Sequence, residues 1–147
     1  MLAAMSVTQA ARLAPSGTWI DLPTHGDGRG DLTVAEEAAG LPFRPARTYW
    51  LHGLGAHSRG AHAHRRLRQC MVVVAGALTL ELEDVHGLRE MRLDDPSRGV
   101  LIGPMTWRAM HDFAPGTVCL VMASRPYEPS DYIRDRAAFR AQLRLFA

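Results

Sequence analysis

Lysine is absent from this chain of 147 residues, so all 17 basic side chains are arginine. That absence removes Schiff-base chemistry and the lysine-bearing Walker phosphate loop together. Any phosphate must be held by arginine or by backbone N–H groups. Cysteine is scarce: Cys70 and Cys119 both lie inside apolar, strand-like runs, which excludes a disulfide framework and offers no metal-ligand spacing. Long hydrophobic runs are missing too. The longest apolar stretch, interrupted over 71–82, falls short of the ~18–20 residues that cross a bilayer. The start, "MLAAMSVTQAARLAPSG", has no basic segment ahead of its apolar residues and makes a poor secretory signal. A cytoplasmic protein without a membrane partner is expected. A formal net charge of +2 is too mild for a nucleic-acid face, and the cluster Arg65, Arg66, Arg68 reads as a solvated strand end.

What is present is an ordinary globular composition, 47% hydrophobic and 22% charged, at a length that suits one domain. From Trp19 to Ser124 short apolar or alternating runs recur between Gly, Pro, Asp and Ser clusters, the pattern of an all-β sandwich or barrel. In "ALTLELED", Leu78, Leu80 and Leu82 share one face and Thr79, Glu81 and Glu83 the other, so this strand is half buried. "QCMVVVAG" is apolar on both faces and reads as a central strand that Gly76 ends. About eight strands in all suit a double-sheet jelly roll. After Pro129 the sequence turns to "SDYIRDRAAFRAQLRLF", which predicts a C-terminal helix capped by Ser130 or Asp131, with Ile133, Ala137 and Phe139 as its buried stripe. Residues 1–17 are expected to be a loose leader and 18–147 the folded domain.

The chemistry concentrates in "RGAHAHRRLRQ", residues 59–69. On a strand His62 and His64 share a face. The run His62-Ala-His64, four residues, Gln69, six residues, Gly76 resembles the metal-binding pattern of the small-barrel fold known as the cupin, with Gln69 at the glutamate position. A second cupin segment usually supplies another histidine after a Gly…Pro turn. Here the turn Gly99…Pro104 leads instead to Trp107-Arg108-Ala109. A neutral amide and an arginine are poor company for a divalent ion, although His111 could stand in for the missing ligand. The other readings are a hydrogen-bonded polar strand end and a pair of proton-transfer groups, since imidazole both accepts and donates near neutral pH.

A wider likeness runs through "DGRGDLTVAE" (27–36), "LPF" (41–43), "RTYWL" (47–51), "RGAHAH" (59–64), "GVLIGPMTW" (99–107), "MHDF" (110–113) and "LVMASRPYEPSDYIRD" (120–135). In these pieces the chain resembles the nucleotide-sugar 3,4-ketoisomerases of the cupin superfamily, which act on dTDP-4-keto-6-deoxyglucose. The resemblance implies a cupin-type double-stranded β-helix and an isomerisation through an enediol, with neither metal nor cofactor. It implies His62 and His64 as the catalytic pair, with His64 at the carbon-bound protons. Tyr49 would pass a proton between the sugar oxygens, and Arg59 would steady enediolate or phosphate charge. Trp107 would be a wall of the site, Gln69 a substrate contact, and Arg108, where relatives commonly carry histidine, a pyrophosphate ligand. Arg47 is expected to be structural, paired with Glu36 or Asp31, and Asp27 with Arg29 to order a turn. Relatives form homodimers, some exchanging N-terminal strands. A sugar 3,5-epimerase, a metal-dependent cupin enzyme and a non-catalytic sugar-binding cupin are the competing functions.

Overall fold

Alternation decides the architecture. Leu78, Leu80 and Leu82 are fully buried on one face of their strand, each contributing roughly 2 kcal/mol by leaving water. The structure, a computed structural model, describes residues 14–146. It contains strands β1 (Trp19–Asp21), β2 (Thr24–Gly26), β3 (Asp31–Thr33), β4 (Arg47–Leu51), β5 (Arg59–His64), β6 (Gln69–Ala75), β7 (Leu78–Asp84), β8 (Gly87–Leu93), β9 (Arg98–Ile102), β10 (Trp107–His111), β11 (Val118–Ala123) and β12 (Tyr132–Ile133), then helix α1 (Arg136–Leu143). Two five-stranded antiparallel sheets, ordered β1-β9-β6-β11-β4 and β12-β5-β10-β7-β8, face each other as a cupin-type jelly roll. The strands beyond the expected eight are the short ones, which have too few residues to show a period of two.

The core has three parts, and they explain the sequence pattern. Between the sheets, Met71, Val73, Val100, Ile102, Cys119 and Val121 of the first meet Leu78, Leu80, Leu82, Leu93 and Met110 of the second. On the outside of the first sheet Cys70, Val72, Leu101 and Met122 are covered by Ile20, Leu22, Leu41 and Phe43. Strand β6 is therefore apolar on both faces because both are covered. Both cysteines are free and buried, and burial pushes their thiols up to about 12. The third cluster, Ala63, Trp107, Ile133 and Phe139, lies between the second sheet and α1.

The C-terminal segment departs from its sequence pattern. The helix is capped by Asp135, whose carboxylate accepts from Ala138 N at 2.6 Å, and it starts at Arg136. Residues 129–131 form a 3-10 turn and β12 pairs with β5 before it, with Tyr132 opposite His64 and Ile133 opposite Ala63. Neither Ser130 nor Asp131 caps the helix, because Asp131 is committed to the backbone of residues 66 and 67. Phe139 is buried as expected and Ala137 is exposed. The arginines of α1 clamp it to β7: Arg140 donates to Glu83 at 2.8 Å and Arg136 to Glu81 at 2.9 Å.

Residues 1–13 of the expected leader lie outside the described residues. Residues 14–17 are tied down: Ala14 packs under the first sheet, Ser16 Oγ accepts from Gly103 N at 2.8 Å, and Gly17 N donates to Leu101 O at 2.8 Å. The hairpin β2–β3 joins neither large sheet. Arg29 donates to Asp27 within its turn, as the sequence implies.

Candidate active site

Strand β5 is irregular where the site begins. Gly60 (φ 89) and Ala61 (φ 54) are both left-handed, and the register with β10 shifts between Arg108 and Ala109. An alanine at positive φ is strained, and a bulge of this kind re-aims the side chains that come after it. Here it leaves Ala63 outside, under α1, and turns the rings of His62 and His64 to the interior with centroids 4.9 Å apart and perpendicular planes.

His62 faces a cavity of about 530 Å³. Tyr49 and Arg47 from β4, Arg59 from β5, Met110 from β10, and Tyr127, Tyr132 and Arg134 from the C-terminal segment complete its wall. His62 Nδ1 donates to Gly60 O at 3.1 Å, because a carbonyl can only accept. Nε2 is thus its lone-pair nitrogen. His64 is 1% exposed and does not reach the cavity. It packs edge-on against Tyr132 at 4.2 Å, and its Nδ1 lies 3.3 Å from Asp131 Oδ2. The sequence places His64 at the reacting carbon; the bulge at Gly60–Ala61 instead brings His62, and not His64, to the cavity wall.

Four further expectations are corrected. Gln69 and Arg108 are buried and neither lines the cavity. Arg108 donates to Gln69 Oε1 and, at 3.1 Å, to Thr106 O. That bond leaves the Gln69 amide N–H to donate to Tyr49 Oη at 2.9 Å. The pair orients the phenol from behind, and Arg108 lies buried away from the cavity wall where a pyrophosphate ligand was expected of it. Trp107 points to the other side of its strand, where it packs on Phe139 with centroids 5.6 Å apart. Residues 107 and 108 point oppositely because neighbours on a strand must. Arg47 has no carboxylate partner among the described residues. It lies over the rings of Tyr49 and Tyr127 at 5.1 and 5.4 Å, and its buried Nε has no hydrogen-bond partner among the described residues.

Electrostatics keep the histidines neutral. Burial, then the Arg108 guanidinium, lowers His62 to about 4. Burial, Arg108 and His62 lower His64 to about 3, against the opposing pull of Asp131. Burial raises the Tyr49 phenol, so it carries its proton at neutral pH, although Arg108 pulls it the other way. The acid limb of kcat/KM is therefore expected near pH 4 and not near 6.5, read from a pH–rate profile. Stability should fall as pH drops below about 6.5, since the unfolded chain then binds protons that the folded one refuses.

A metal does not fit this donor set. Besides the two imidazoles the positions are taken by a neutral amide already bonded at both ends and by a guanidinium, which repels cations. His111 cannot complete the set, because it sits on the outer face of β10 with Nε2 3.3 Å from Glu90 Oε1.

Reasoning from sequence missed Arg47, Tyr127, Asp131, Tyr132 and Arg134 as site residues. The signal was there in "DYIRD", where Tyr132 and Arg134 are spaced to share one face of an extended segment.

The family model described as FdtA, WxcM-like, C-terminal, matches residues 16–144. The chain belongs to this family. A curated relative of this FdtA-family chain, the TDP-4-oxo-6-deoxy-alpha-D-glucose-3,4-oxoisomerase of Aneurinibacillus thermoaerophilus, is 38% identical over 115 residues, which are 78% of this chain and 83% of that protein. Among solved structures, the sugar 3,4-ketoisomerase QdtA of Thermoanaerobacterium thermosaccharolyticum in complex with TDP superposes with a TM-score of 0.86 at 32% identity, over 89% of this chain and 96% of that one. A histidine-to-asparagine mutant of the same enzyme, in complex with TDP-4-keto-6-deoxyglucose, gives a TM-score of 0.86 at 30% identity, over 90% and 97%. The cupin fold and the ketoisomerase family expected from the sequence are therefore both found.

Proposed function

We propose that the cavity binds a TDP-linked 4-keto-6-deoxyhexose and isomerises it to the 3-keto sugar. The observation that carries this reading is His62, a neutral imidazole on the cavity wall with its Nδ1 proton committed to Gly60 and its Nε2 lone pair uncommitted. Such a group removes the proton from C3 of the sugar. The electrons move toward the C4 oxygen and give an enediolate, and the proton returns to C4. The hydroxyl proton must meanwhile pass from the oxygen on C3 to that on C4. Tyr49 suits this transfer, because Gln69 donates to its Oη and leaves the phenolic proton for the ligand. Arg47, Arg59 and Arg134 supply positive charge for the pyrophosphate and the enediolate. The same set needs neither metal nor redox cofactor, since every step moves a proton.

The test is incubation with TDP-4-keto-6-deoxyglucose in deuterated water containing chelator, followed by NMR. A 3-keto product labelled at C4 is expected. Label at C3 and C5 with the ketone still at C4 would establish an epimerase, and an unaltered sugar would leave only a binding protein.

A homodimer is part of this reading. The hairpin β2–β3 stands apart from both sheets with Leu32 60% exposed, and Trp50 on the edge strand β4 is 59% exposed. Apolar groups of that size on an unpaired edge suit a second copy of the chain, with the hairpin exchanged between protomers. We place the enzyme in the cytoplasm, where free thiols such as Cys70 and Cys119 persist. No helix among the described residues is long and apolar enough to cross a membrane.

A further inference from the structure

The segment "SDYIRD" reaches the active site from the end of the chain, and one of its residues takes no direct part in moving protons on the sugar. Asp131 is 3% exposed, and its carboxylate is held rigidly. Oδ1 accepts from Arg66 N at 2.9 Å and Oδ2 from Leu67 N at 3.1 Å, while its own backbone oxygen accepts from Arg65 N at 3.0 Å. Those bonds anchor the carboxylate to the three residues next after His64. Oδ2 then stands 3.3 Å from His64 Nδ1, both side chains being almost wholly buried. Among the described residues nothing hydrogen-bonds to Nδ1, so what acts on it from Asp131 is the charge of the carboxylate across that gap.

We propose that Asp131 is a positioning residue that fixes His64 in the Nδ1–H tautomer. The physical argument is one of signs. A lone pair on Nδ1 would face a carboxylate oxygen across 3.3 Å of dry interior and be repelled, whereas an Nδ1 proton is attracted. With the proton on Nδ1, Nε2 becomes the acceptor of His64, as it already is in His62 through the Gly60 carbonyl. Two different devices, a backbone carbonyl and a carboxylate, thus set two neighbouring imidazoles to the same tautomer. The ring of His64 is held edge-on to His62, and Tyr132 packs on both rings, at 5.0 Å from His62 and 4.2 Å from His64. A wrong tautomer at His64 therefore misplaces a proton beside the catalytic base.

The inference rests on the ketoisomerase reading for its kinetic arm and is independent of it for its spectroscopic arm. Long-range ¹⁵N NMR of the wild-type protein is expected to show His64 as Nδ1–H. In Asp131→Asn an amide N–H can donate to Nδ1, and the tautomer should switch to Nε2–H. The same variant should lose roughly 10²- to 10⁴-fold in kcat, with KM for the TDP-sugar changed no more than about threefold. Placed on a His64→Asn background, Asp131→Asn should cost nothing further, because its effect passes through the ring. A purely structural role would instead add its loss to that of His64→Asn and leave the tautomer alone. Three results would each overturn the proposal: a wild-type His64 that is Nε2–H, an Asp131→Asn protein whose His64 stays Nδ1–H, or additive losses in the double variant. The first needs no variant to fold.

Discussion

His62→Asn is expected to lower kcat by at least about three powers of ten, while TDP affinity stays within a few-fold and the melting temperature is nearly unchanged. His62 is the imidazole on the cavity wall, and its ring is anchored to Gly60 O at 3.1 Å. Asparagine keeps a polar group of similar reach and removes the base, so binding and chemistry separate. His64→Asn should cost less, because His64 is buried behind His62 and outside the cavity. Steady-state kinetics on both variants, with calorimetric TDP titrations, check the ranking. If His64→Asn were the more damaging, the assignment of His62 to the reacting carbon would be wrong. His62→Asn should also remove the exchange of solvent deuterium into the sugar, since no other neutral imidazole among the described residues lines the cavity.

Gly76→Val should be the most destabilising exchange in the β6–β7 turn, at about 4 kcal/mol or more. Gly76 has φ 75, and a Cβ there would lie 2.4 Å from Thr117 Oγ1 and 2.7 Å from Thr117 Cα. The first atom could rotate away only by giving up its bonds, since Thr117 Oγ1 donates to Ala114 O at 2.6 Å and accepts from Ala77 N at 3.2 Å. The second is backbone and cannot move alone. A β-branched residue is also poorly accommodated at positive φ. For a domain of this size the loss corresponds to a fall of roughly 10–15 °C in Tm. Gly28→Ala is the control. It has a similar φ of 84 with nothing within 4 Å of the added carbon, so only the backbone term of about 1 kcal/mol remains. Equal losses at the two positions would show that contact with Thr117 is not the cause.

The part of the fold that the residue pattern carries is the part made by long, half-buried strands. Leu78, Leu80 and Leu82 declare their strand because one face meets the core and the other meets water, and the doubly apolar β6 declares its central place. The pattern falls silent at Tyr132–Ile133, where two residues are too few for any period and pairing with β5 overrides the helical propensity of the neighbouring segment. Asp131 looks like a helix cap by composition. It is taken instead by the N–H groups of Arg66 and Leu67, which lie 65 and 64 positions away along the chain.

The site divides in the same way. Chain order alone determined which residue types were available: two histidines separated by one residue, a tyrosine on a strand, a glutamine where a carboxylate would bind metal, and arginine as the only strong base. Those identities already argued for proton transfer and against a metal. Tertiary structure decided which of them touch the cavity. A bulge at Gly60–Ala61 turned His62 toward the cavity and left His64 behind it. Alternation sent Trp107 under the helix and Arg108 into the interior. The last segment of the chain then returned to supply Asp131, Tyr132 and Arg134. Chemical type is a local property that the sequence states outright; which side chain reaches the cavity depends on strand register and on contacts between distant segments, and those exist only once the barrel has closed.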